Sequence, residues 1–155
     1  MTKLLLCLHV LAAIIAVGPV TVAASMFPPA VRRAQAAGPD AAAVGTVRLL
    51  HRICRVYAAV GLAVPVFGFA TASSLGVLGD SWLIVSIVLT TGAAGVLALL
   101  VLPRQDALLA QLGTGAVPVE RSRTAQLAMF TGIFNLLWAV VTILMIVRPA
   151  STTGA

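Results

Sequence analysis

Charge is what this sequence has least of. Only 9% of its 155 residues are charged, and the acidic ones are four: Asp40, Asp80, Asp106 and Glu120. A soluble domain carries roughly 25% charged residues, so a water-facing surface is hard to build from this chain. All four carboxylates fall between the apolar runs. Proton-coupled pumps and transporters keep an ionisable group inside the membrane, which argues against a carboxylate-driven transporter here. Two cysteines and two histidines (Cys7, Cys54, His9 and His51) are scant material for a metal centre or a nucleophile. No HExxH, CxxC, phosphate-binding glycine loop or Ser-His-Asp set occurs. A chain without catalytic function, cofactor or metal is the expectation.

Aromatic residues are also few, at 5%. The net charge is +6 and the pI about 11.2, a balance that elsewhere marks a nucleic-acid partner. Here the basic residues sit in loops and at helix ends with no aromatic platform between them. Anionic lipid headgroups are the expected counter-charge, and nucleic acid is not.

What the chain does have is apolar sequence, 61% of it against roughly 45–50% for a typical soluble domain. A globule of this length has too little interior to hide that much, whereas lipid requires no hiding. The apolar runs lie at about 4–27, 56–75, 82–102 and 124–147, each near the roughly 20 residues that cross a bilayer. The expected fold is all-α. It is a single-domain integral membrane four-helix bundle of antiparallel up-down spans, with a cytoplasmic amphipathic extension before the second span.

Val22-Ala23-Ala24 resembles a signal-peptide cleavage site. The first run exceeds a usual signal core, and cleavage would strand Arg32, Arg33, Arg48, Arg52 and Arg55 outside, so it reads as a retained span. The loops after the first and third spans carry eight arginines, against Lys3 and Arg148 on the other side. That count places those loops in the cytoplasm and both termini outside, in a bacterial inner membrane.

Prolines and glycines punctuate the runs. Pro28-Pro29 should break the first helix or restart it as an interfacial turn bearing Arg32 and Arg33. Gly38-Pro39-Asp40 reads as a turn with Asp40 as N-cap, and Asp80 or Ser81 should cap the third span, with Trp82 as an interfacial aromatic. Pro103-Arg104 should close the third span, leaving Arg104 to Leu112 as a short amphipathic segment. Pro19 and Pro65 fall at comparable depth; two kinks there would open a small cavity between the first two helices, or simply bend them.

Candidate functional positions follow from helical spacing. Arg48, His51, Arg52 and Arg55 share one face, and Arg48, Arg52 and Arg55 are the expected anionic-lipid contacts. Thr131, Asn135, Trp138 and Thr142 share another face, which must point inward. It serves interhelical hydrogen bonding or, alternatively, a ligand. His9 reads as a polar residue facing the bundle. Ser86, Thr90, Ala94 and Ala98 form one small-residue ridge, and Gly61, Pro65, Gly68 and Ala72 another. His9 and His51 should stand roughly 20–30 Å apart, too far for one haem iron, and Cys7 and Cys54 too far for a disulfide. His51 and Cys54 offer two metal ligands, which do not make a site.

The stretches LHVLAAIIAVG, RICRVYAAVGLAVPVFGFA and GVLALLVLPRQDALL resemble a bacterial family of integral membrane proteins, the domain of unknown function 2269. The resemblance spans most of the chain and implies a four-helix membrane protein with no established activity. A looser similarity is to copper-resistance D type membrane proteins, through the early Leu8-His9 pair. The chain departs from that group at Ala16-Val17-Gly18-Pro19 and has no Met-rich or His-rich external segment. The expected role is an accessory or scaffold component associating with another membrane protein or with itself, a respiratory assembly among the candidates. The alternative is a small transporter or copper or haem carrier using His9 and Asn135.

Overall fold

In the computed structural model, residues 2–38, 41–115 and 118–149 are described, and no strand occurs among them. The helices are α1 (Thr2–Ala36), α2 (Ala41–Val60), α3 (Ala63–Leu75), α4 (Ser81–Gly95), α5 (Leu102–Thr114) and α6 (Arg121–Val147), and a π-helical stretch, Val96–Val101, joins α4 to α5. Four continuous stretches are long and apolar enough to cross a membrane: Thr2–Ala36, Ala42–Leu75, Ser81–Thr114 and Arg121–Val147. Their outward faces carry large apolar residues such as Leu62, Val88, Leu99 and Leu136. Lipid can wet these; water cannot without cost.

α1 is the hub of the packing. Its buried stripe is Ala16, Val20, Ala23, Ala24, Phe27, Ala30, Val31 and Ala34, mostly small residues at helical spacing that allow close approach, the main source of helix association in lipid. His9 lies beside Val64 and Gly68, and Phe27 beside His51, so α1 and the α2–α3 stretch run in opposite senses. α1 runs unbroken through Pro19, Pro28 and Pro29, contrary to the expected break. Each interior proline disfavours a helix by about 3 kcal/mol, yet Phe27, Pro28, Ala30 and Val31 are all buried. Packing on both sides of the diproline outweighs its local preference.

The second stretch breaks where the sequence is weakest for a helix. Pro65 has no N–H for the Gly61 carbonyl, and the Val64 N–H takes that carbonyl instead at 3.1 Å, tightening the turn that separates α2 from α3. The small residues expected as a ridge here do face α1: a side chain on Gly61 would touch Ala16, and one on Gly68 would touch His9.

The third stretch is not closed by Pro103. It continues into α5, with Pro103 in the first turn after the π-helical segment. A wider turn moves the carbonyl four residues back away from the pyrrolidine ring, the clash that normally ends a helix. Leu108 is buried, and Leu109 and Leu112 pack against the same core, so the amphipathic segment docks its apolar side. The small-residue ridge is a correction. Ser86 is buried but Ala94 and Ala98 are exposed, and the enclosed face beyond Ser86 is Ala93, Leu97 and Val101.

Asp80 occupies the N-cap position of α4 without a side-chain cap bond. Its Oδ2 accepts from the Trp82 indole N–H at 2.9 Å, and Trp82 is buried rather than lying at an open interface. The Pro39-Asp40 turn and its cap lie outside the described residues.

Candidate functional site

Two regions carry polar groups that the fold places with purpose. At one end of the bundle α1 and α3 form one wall and α4 and α6 the other, with a cavity of about 1160 Å³ between them. A small cluster of Ala72, Val77, Trp82 and Leu83, with Ile87 and Met145 against it, lines its far end, and the main core lies at the other. The sequence expected at most a small cavity between the first two helices; Pro65 and Gly18 line this one, but so do α4 and α6.

His9 is the best-anchored polar group in the cavity wall. Its Nδ1 lies 2.9 Å from the Val64 carbonyl; a carbonyl only accepts, so Nδ1 carries a proton, and in the neutral ring Nε2 is left as an acceptor. Gly68 makes this approach possible, since a Cβ there would sit 3.0 Å from His9 Cε1. Thr71 and Thr142 donate to the Phe67 and Trp138 carbonyls of their own helices, which leaves their oxygens free to accept. Trp138 also lines the cavity. Arg148 sits at the rim with its guanidinium 5.7 Å from the Trp82 ring. Apolar walls with a few placed donors and acceptors are the usual make-up of a small-molecule site.

The second region is at the arginine-rich end. Gln105 is fully enclosed; its Oε1 accepts from His51 Nδ1 at 2.9 Å and its Nε2 reaches Cys54 Sγ at 3.6 Å. His51 Nε2 lies 2.8 Å from Asp106 Oδ1, but out of line for a hydrogen bond, so the contact is an ion pair when the ring carries both protons. The Phe27 ring meets His51 edge-on at 6.5 Å. His51 is therefore not a member of the solvent-side stripe. At about 100° per residue it lies at the edge of the arginine face, and its ring turns inward to the Gln105 amide. Arg48, Arg52 and Arg55 remain exposed on their shared face.

The polar face of α6 divides by depth. Thr131 is buried with no partner for its hydroxyl. Asn135 Nδ2 donates to Ser25 Oγ of α1 at 3.2 Å, a hydrogen bond between helices, while its Oδ1 is enclosed and unpartnered. Thr142 opens on the cavity. His9 and Thr142 thus line one site; Asn135 serves the contact with α1, and Thr131 is buried one turn before it.

A family model described as predicted integral membrane protein, DUF2269, matches residues 3–149. The chain belongs to this family. Neither a curated protein nor a solved structure matches it. For this DUF2269 protein, as for its fold, the membrane assignment now stands on both the family model and the four apolar helices.

Gln105 and Asp106 are the site residues that the sequence reading missed. Both lie in a segment whose pattern reads as surface amphipathic helix, and Gln105 meets His51 across 54 positions. One signal was available: Ala93, Leu97, Val101 and Gln105 recur every four residues, a buried series that ends in an amide. Among the described residues no three His, Cys, Asp or Glu side chains lie together as a metal site would require.

Proposed function

We propose that the protein is a non-enzymatic membrane component that holds a lipid-soluble small molecule in the cavity between α1–α3 and α4–α6. The observation that carries this reading is the cavity itself, a half-open cleft of about 1160 Å³, somewhat above the roughly 300–1,000 Å³ of ordinary ligand sites, in a bundle whose other half shares one core. The ligand's polar group would be a hydroxyl or carbonyl, met by His9 Nε2, the Thr71 and Thr142 oxygens and the Trp138 indole N–H. Its apolar body would lie against Val17, Ile14 and Phe69. This sharpens the carrier alternative and leaves copper and haem without a supporting ligand set beyond His9.

The accessory role is the second reading. It is favoured by the open seam between α3 and α4, bridged by the Trp82 cluster, into which a neighbouring protein's apolar side chains would fit. In either case Arg48, Arg52 and Arg55 hold the anionic headgroups of an inner leaflet, each contributing about 1 kcal/mol, with the termini outside.

Gly18→Leu separates these readings. Gly18 lines the cavity, and a Cβ added there would meet no atom within 4 Å, so a leucine begins in open space at the cavity wall. Protein purified in mild detergent is extracted and analysed by mass spectrometry. The ligand reading expects one compound class near stoichiometric amount in wild type and its loss in the variant. Wild type carrying only bulk lipid overturns it, and a co-purifying protein lost from the variant favours the accessory role.

A further inference from the structure

We propose that Arg104, Arg123 and Gln126 form a binding site for a phosphate-bearing anion between α5 and α6, at the arginine-rich end and away from the cavity above. These three side chains, with Ala107 and Leu108, line a pocket of about 260 Å³. Arg104 is held in place from two sides: its Cζ lies 4.4 Å from the centroid of the Phe130 ring, and its Nη1 donates to the Leu100 carbonyl at 3.1 Å. Its other N–H donors have no partner among the described residues. Arg123 and Gln126 stand three apart on α6 and so share a side of that helix, and neither side chain has a partner among the described residues.

Two guanidinium groups facing one small space repel each other unless an anion lies between them. The nearby carboxylates do not fill that role. Among the described residues neither Arg104 nor Arg123 forms an ion pair; Asp106 lies against His51 at 2.8 Å, and Glu120 Oε2 accepts from the Ser122 hydroxyl at 3.2 Å. The pocket is thus a set of convergent donors over an apolar floor of Ala107 and Leu108, without an internal counter-charge. Arginine pairs with tetrahedral oxyanions through parallel N–H bonds, and a phosphate group is the anion that matches this size and donor set. A phospholipid headgroup and a free phosphate ester share that chemistry.

The test uses full-length protein in a neutral detergent, titrated separately with phosphatidylglycerol, read by native mass spectrometry, and with inorganic phosphate, read by phosphorus NMR line width. Arg123→Gln is the principal variant, since Arg123 is exposed and its side chain bonds to nothing whose loss would unfold the chain. Arg104→Gln is the second, and Lys3→Gln, exposed at the other end and lining neither pocket, the control. Binding of at least one probe about fivefold weaker for each pocket arginine removed, with the control unchanged, is the expected result. Loss confined to phosphatidylglycerol assigns the site to lipid; loss for both assigns it to free phosphate as well. If Arg123→Gln and Arg104→Gln bind both probes as wild type does, or if Lys3→Gln weakens them equally, the proposal is overturned.

Discussion

Phe27 and Ile14 are both large apolar residues of α1, yet Phe27 is fully enclosed while Ile14 is 64% exposed and lines the cavity. The same contrast holds between the two ends of the bundle. At the arginine-rich end α1, α2, the π-helical segment, α5 and α6 share one continuous core. Toward the other end α3 and α4 stand apart, bridged by the Trp82 cluster. Lipid supplies no hydrophobic force between helices, so closeness must come from fitted surfaces and hydrogen bonds. The packed end has both: alanines along α1, and Gln105 joining His51 to Cys54. The open end has such a fit only between α1 and α3, at His9, Val64 and Gly68; across the cavity it has leucine, isoleucine and valine, which are as content against lipid as against each other.

Substitutions should expose that difference. Phe27→Ala removes the centre of the packed end and is expected to lower stability by about 3 kcal/mol or more, while Ile14→Ala changes it by less than about 0.5 kcal/mol; denaturant titration in detergent compares them. Equal losses would dissolve the distinction between the ends. Gln105→Leu strands the His51 Nδ1–H in a dry site and should cost about 1–3 kcal/mol, with most of it recovered when His51→Leu is added. A double variant as unstable as the single would mean that the His51–Gln105 bond is not the source. Ser25→Ala removes the bond to Asn135, with an expected loss near 0.6 kcal/mol; a thermal melt shift as large as that of Gln105→Leu would show that the α1–α6 contact, rather than α2–α5, holds the bundle.

The spans were legible because a bilayer imposes length and apolarity on any crossing segment, whatever the sequence inside it. The inward polar face of α6 was legible for a related reason: Thr131 and Asn135 have nowhere else to go at that depth. Pro28-Pro29 and Pro103 misled because proline's local penalty is about 3 kcal/mol, and burial of Phe27 and its neighbours, or a widened turn, exceeds it without leaving a mark in the pattern. His51 misled because it borders two faces of α2, and only the position of Gln105, on a distant helix, decides which face its ring joins. The cavity was half visible, in Pro65; Pro19, expected to shape it from α1, does not line it. Its far wall comes from α4 and α6, whose separation from α3 no single helix encodes.

The π-helical segment has one more effect. In a regular α-helix four residues overshoot a turn by about 40°, so the series Ala93, Leu97, Val101 and Gln105 would precess by roughly a third of a revolution and carry its amide out of the interior. The looser winding of Val96–Val101 absorbs that precession and delivers Gln105 to His51 in phase. The segment works as a vernier between two helical screws, and the apolar register above it and the polar junction below it are set by one adjustment of pitch.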